Sequence, residues 1–312
     1  MERKKTTTRK GSINNKEIIK ENINNVSTGN IRSKNNNIML KRKKRTLTII
    51  LVFFIALFIY CSIYLVYWLV TNHRSKKIEE DVVEIADIKD TDGDVTENVN
   101  EPDDSNSKRY IDDYFYYMNL PFMSVEFSKL KEKNPDTIAW LKVPGTNVNY
   151  PVVQTTDNDY YLTHAFDGSY NAAGWIFAHY RCNFNDFGRN NIIYGHSRRN
   201  NTMFGSLLGT LNSSWYQNRD NTILYLSTEK YNTIWQVFSV YTIDKNAEYL
   251  TTYFIDDNSY TNFLNTMKGR SVYDFSAEVN SKDRILTLST CAANDNYRVV
   301  VQAKLIRRDI RN

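Results

Sequence analysis

The chain has 312 residues, of which 24% are charged, 41% hydrophobic and 13% aromatic, and its formal net charge is +5. That charge is unevenly spread: residues 1–45 hold 14 basic against 3 acidic side chains, a net of +11, so the remainder carries −6. A mildly acidic main body excludes reading the basic balance as nucleic-acid binding.

In chain order, residues 1–45 are rich in Lys, Asn, Thr and Ser and read as a disordered basic tail. A start at Met39 and a regulatory tail both remain open. Residues 46–70 form an uncharged apolar run of 25 residues, long enough to cross about 30 Å of hydrocarbon as a helix. Tyr60, Tyr64, Tyr67 and Trp68 gather toward its far half, as interfacial aromatics do. The run lacks the small-residue cleavage site of a signal peptide, so retention is expected. Lys41-Arg42-Lys43-Lys44-Arg45 precedes it directly, which puts the N-terminus in the cytoplasm, beside the anionic lipids of the inner leaflet, and everything after residue 70 outside. Residues 71–108, with Asp87, Asp90, Asp92, Asp94, Glu97 and Glu101, read as a self-repelling acidic extracellular linker.

The catalytic domain is expected over 109–312. An N-terminal helix is predicted from Tyr110 to Met118, continuing through Val125 to Glu132. Strands are predicted at Thr222–Leu226, Thr233–Val240, Arg284–Leu288 and Val299–Ile306, giving a mostly β domain. Between them, residues 256–268 read as a capped helix with Tyr260, Phe263, Leu264 and Met267 on one face.

Chemistry concentrates near the end of the chain. Cys291 closes the β-type run Thr287-Leu288-Ser289-Thr290-Cys291, and Arg298 opens the run Val299-Val300-Val301. A thiol works as a nucleophile in its thiolate form, which calls for a base and a positive charge nearby. Arg298 offers the charge. Of the four histidines, His196 is the best placed as base, because it follows the short apolar strand Asn191-Ile192-Ile193-Tyr194-Gly195 and is presented from its end. Taken singly, a cysteine is more often a small buried hydrophobe, as Cys61 is inside the apolar run, and a histidine is more often structural. His179-x-x-Cys182 offers two metal ligands where zinc needs three or four, so no metal is expected. Cys182 and Cys291 read as free thiols.

Joint context comes from a resemblance. Asn134-Pro135-Asp136-Thr137-Ile138-Ala139-Trp140-Leu141, Tyr150-Pro151-Val152-Val153-Gln154, Asp157-Asn158-Asp159-Tyr160-Tyr161-Leu162, Ile192-Ile193-Tyr194-Gly195-His196, Met203-Phe204 and Leu286-Thr287-Leu288-Ser289-Thr290-Cys291 occur in that order. On these segments the chain, from about Phe127 onward, resembles class B sortases, membrane-anchored cysteine transpeptidases of Gram-positive bacteria. The resemblance implies an eight-stranded β-barrel with an N-terminal helix and an extra helix before the catalytic strand. By the same resemblance Cys291 is the nucleophile, His196 the general acid and base, and Arg298 the residue that steadies the oxyanion. Asn158, Leu162, Tyr249, Leu250 and Ser289 resemble residues of the peptide groove. One departure stands out: Ala178-His179 follows Ile176-Phe177, where the family usually has an acidic residue.

The activity so implied is cleavage of a C-terminal sorting signal on surface proteins through a thioacyl-enzyme, and transfer of the acyl group to an amine of peptidoglycan or lipid II. No cofactor is implied. A membrane-tethered cysteine hydrolase and a pilin-polymerising sortase are the alternatives. The sorting signal and the acceptor amine are left open.

Overall fold

The computed structural model describes residues 15–92, 116–291 and 296–311. It divides into two compact units, Met1–Val70 and Thr71–Asn312. The first unit consists of the larger part of helix α1, Asn15–Ile85. Residues 15–45, expected to be disordered, are helical here. Within the apolar run, Leu51, Phe53, Phe58 and Leu65 are all exposed. Among the described residues, α1 is the one helix long and apolar enough to cross a membrane. At about 1.5 Å rise per residue, the apolar run outspans a hydrocarbon core of about 30 Å.

The second unit is a closed barrel of eight strands. In chain order these are β3 (Thr137–Lys142), β4 (Asn149–Val153), β5 (Phe177–Ala178), β6 (Asn190–Gly195), β7 (Ile223–Thr228), β8 (Tyr231–Asp244), β9 (Ile285–Cys291) and β10 (Tyr297–Ile310). Around the barrel the order is β10-β8-β7-β3-β4-β5-β6-β9. Two pairings, β4 with β5 and β6 with β9, are parallel, and the others are antiparallel. Val, Ile, Thr and aromatic side chains dominate β8, and Val299-Val300-Val301 open β10, residue types that fit a pleated, buried surface. Trp140, Trp175, Trp235, Phe166 and Phe204 fill the main core.

Strand β8 is buried on both faces over Tyr231–Tyr241. One face meets the barrel core, and the other is covered by helix α4, Asp257–Gly269, which in chain order follows the short helix α3, Ser213–Gln217. The predicted capping residue holds: the Asp256 carboxylate accepts the Ser259 N–H at 2.7 Å, and the Ser259 hydroxyl oxygen accepts the Asp256 N–H at 3.2 Å. Tyr260, Leu264 and Met267 are buried and Phe263 partly so, packed against Phe238, Tyr241 and Val300. These are the four residues expected on the apolar face.

Two further segments differ from expectation. The helix predicted through Val125 to Glu132 is interrupted: residues 116–118 are helical, then β2 (Phe122–Ser124) intervenes, and helix α2 spans only Ser128–Lys133. Pro121 explains the break, since it disfavours helical backbone at Leu120 and has no N–H of its own to give. The freed strand pairs antiparallel with β1 (Lys89–Thr91). The stretch from 71 to 92, expected as part of a solvated linker, carries the end of α1 and β1. Val82 and Ala86 join the main core there, and Glu126 N–H donates to the Ala86 carbonyl at 2.9 Å. Apolar residues within an acidic stretch supply the driving force, which averaging over composition hides.

Candidate active site

The site is built by strand register. In β6 the last residue, Gly195, pairs in parallel with Thr290 of β9, and in β10 Arg298 pairs antiparallel with Cys291. Carrying β6 and β9 one residue further sets His196 alongside Cys291. His196, far away in sequence, thus meets the neighbours Cys291 and Arg298 at one rim of three adjoining strands, which lie about 4.8 Å apart. The central strand of the three carries the cysteine.

His196 is held from two sides. Its Nε2 lies 2.9 Å from the Leu162 carbonyl oxygen. A carbonyl only accepts, so Nε2 carries the hydrogen and Nδ1 is the basic nitrogen of the neutral ring. Gly174, with φ +58°, backs this contact: a Cβ there would fall 2.8 Å from the Leu162 oxygen and 2.9 Å from His196 Cδ2. On the strand side, a Cβ on Gly195 would meet the Phe204 ring at 2.7 Å, and Phe204 N–H donates to the His196 carbonyl at 3.0 Å. Both glycines therefore let packed groups approach the imidazole closely.

A cleft of about 250 Å³ opens on this rim, and His196, Arg298, Asn158, Leu162, Tyr249, Leu250 and Ser289 all line it. Each expected site residue other than Cys291, whose side chain lies outside the described residues, is therefore brought to one cavity. Tyr249 is buried rather than draped over the surface. Its hydroxyl lies 3.0 Å from Ser289 Oγ, and its ring joins the core cluster beneath α4. Asn158 Oδ1 accepts from Tyr180 N–H at 3.1 Å, which fixes the amide's direction.

Five further lining residues, Phe177, Tyr194, Gly195, Lys245 and Thr290, are not among those expected. The two-residue period of a strand was a usable signal for Tyr194, since it shares a face with His196. Phe177 is its register partner across β5 and β6, with ring centroids 5.2 Å apart. Burial pushes the Tyr194 hydroxyl well above the ordinary phenol range, so it stays neutral.

His179 and Cys182 lie alongside β6, where His179 N–H donates to the Ile192 carbonyl at 2.9 Å. Cys182 is a free, buried thiol that accepts from Ile192 N–H at 3.3 Å. Burial pushes it up to about 11, against the pull of that N–H, and so removes it as a nucleophile at neutral pH. Burial first, and then the neighbouring Arg181, holds His179 below the usual imidazole range.

A closed mixed barrel with thiol, imidazole and guanidinium positions at the ends of three adjoining strands defines a barrel enzyme of the cysteine acyl-transfer class. Residues 141–306 match the sortase domain family. Sortase B of Listeria monocytogenes serovar 1/2a is 34% identical over 187 residues, 59% of this chain and 75% of its own. The crystal structure of sortase B from B. anthracis in complex with AAEK1 superposes with a TM-score of 0.60 at 30% identity, covering 77% of this chain and 99% of that one. A Staphylococcus aureus sortase B–substrate complex does so with a TM-score of 0.54 at 37% identity, covering 58% and 84%. The chain belongs to the sortase family, and within it to class B, the sortase B-type cysteine transpeptidases. The barrel and the helix preceding its cysteine strand are those of that fold.

Proposed function

We propose that Cys291 is the nucleophile, His196 the general acid and base, and Arg298 the oxyanion partner of a transpeptidase acting on C-terminal sorting signals. The observation that carries this reading is the register that pairs Gly195 with Thr290 and Arg298 with Cys291. The Cys291 thiolate adds to the carbonyl carbon of the scissile peptide bond. The tetrahedral adduct collapses, the C–N bond breaks, and the departing amine takes a proton from the His196 imidazolium, leaving a thioester. An amine of peptidoglycan or lipid II then attacks that thioester, gives its proton to His196 and releases the thiolate. Arg298 suits the oxyanion because its guanidinium stays charged and offers fixed donors where negative charge develops.

Asn158, Leu162, Tyr249, Leu250 and Ser289 form the peptide groove in this reading, supported by their common lining of the cleft beside His196. Residues 46–70 anchor the protein as a single span, with 1–45 in the cytoplasm and the barrel outside the cell. The basic cluster before the span supports that orientation.

The test is incubation of the full-length protein with a quenched sorting-peptide library, with and without triglycine or diaminopimelate, beside Cys291→Ala. Cleavage lost in Cys291→Ala together with an amine-linked product is expected. Free acid as the sole product across the acceptors would turn the reading to a hydrolase.

A further inference from the structure

His196 opens the turn 196–204, which is closed by the Ser197–Met203 bridge and by the bond from Phe204 N–H to the His196 carbonyl. Asn201 and Met203 adopt left-handed φ values of 61° and 52°. Asparagine tolerates that region, but methionine does not adopt it unaided, so its surroundings must hold it there. Those surroundings include the segment of α1 from Thr71 onward, within the barrel's own unit. Met203 N–H donates to the Tyr150 hydroxyl at 3.3 Å, and that hydroxyl donates to the Glu79 carboxylate at 3.3 Å. Arg198 Nη2 donates to Asn72 Oδ1 at 2.8 Å.

The same helix segment also braces the other support of the imidazole. Leu162, whose carbonyl receives His196 Nε2–H, and Gly174, which backs the ring, delimit a loop. Asn171 Nδ2 donates to the buried Ser75 hydroxyl at 2.7 Å, and Arg74 pairs with Asp167 at 3.2 Å, both within that loop. Both walls of the His196 pocket thus rest on residues 72–79.

We propose that Asn72, Glu79 and Tyr150 are positioning residues for transpeptidation, which hold the 196–204 turn and so keep the His196 ring aligned with Cys291. This rests on the reading of His196 as the acid and base. None of the three lines the cleft, so their loss changes turnover and leaves peptide affinity in place.

The test uses full-length protein in detergent micelles, comparing Tyr150→Phe, Asn72→Ala and Asn72→Asp with the parent. Amide hydrogen exchange across 197–204 is expected to speed up about three- to tenfold in the first two, each of which removes one hydrogen bond to the turn. Peptide kcat falls about tenfold with KM unchanged, and Asn72→Asp, which keeps the acceptor oxygen for Arg198, restores both. Exchange in the turn that matches the parent's, or accelerated exchange with parental kcat, overturns the proposal. So does a fall in kcat that merely follows the folded fraction measured by circular dichroism. Exchange is read without turnover, so a Cys291→Ala protein that still cleaved peptide would refute the catalytic assignment while leaving the turn's support separately measurable.

Discussion

At the scale of single residues, environment separates two thiols of the same domain. Cys182 sits alongside β6 with its thiol pushed up to about 11 by burial, while Cys291 ends a strand on the rim of the cleft. Brief alkylation at pH 8 is expected to modify Cys291 and spare Cys182, read by peptide mass mapping; rapid labelling that persists in Cys291→Ala would contradict this. The raised value of Cys182 also has a stability sign. The folded thiol keeps its proton where the unfolded one, near 9, loses it, so its contribution to stability is full below about pH 9 and declines as pH rises toward about 11. For Arg298, alanine is expected to lower kcat by about 100-fold or more, the usual effect of losing an oxyanion donor. Lysine should recover only part, because an ammonium retains charge without the planar fork. A lysine variant with parental kcat would show that charge alone suffices.

At the scale of elements, α4 joins stability to recognition. Leu264 is fully buried in the cluster that also contains Tyr249, and Leu250 packs on the same cluster while lining the cleft. Leu264→Ala should cost about 3 kcal/mol, lowering Tm by roughly 6–12 °C. Below that Tm, KM for peptide should rise as Tyr249 and Leu250 loosen; a parental KM in a destabilised variant would separate the helix from the groove. The capped start of α4 and its apolar period were legible in the sequence, as were β7 to β10 in runs of β-branched and aromatic residues. The seven cleft residues were legible through motif resemblance, since no local pattern announces that Asn158 and Ser289 meet. What stayed hidden depends on contacts between distant segments. The pairing of β1 with β2, the docking of Val82 and Ala86, and the support of His196 by Asn72 and Glu79 leave no periodic trace in an acidic stretch.

At the scale of the whole molecule, charge and hydropathy divide the chain at residues 45 and 70. A basic tail of net +11, an apolar span and a body of net −6 are the basis of the proposed topology. In sealed right-side-out vesicles, added protease should remove the barrel and leave an N-terminal epitope protected until detergent is supplied. Loss of the epitope without detergent would reverse the assigned orientation.

The barrel's strand order also bears on when competence arises. Strands β9 and β10 are the last two in chain order, yet β9 sits against β6 and β10 against β8, so they are the pieces that close the ring. A ribosome delivers the chain N-terminus first, and every earlier strand has emerged before the cysteine does. Before β9 and β10 arrive the cleft is not assembled, because Ser289, Thr290 and Arg298 line it. Arg298 reaches Cys291 within the β9–β10 hairpin itself, whereas the end of β6 that leads to His196 reaches it only as the ring shuts.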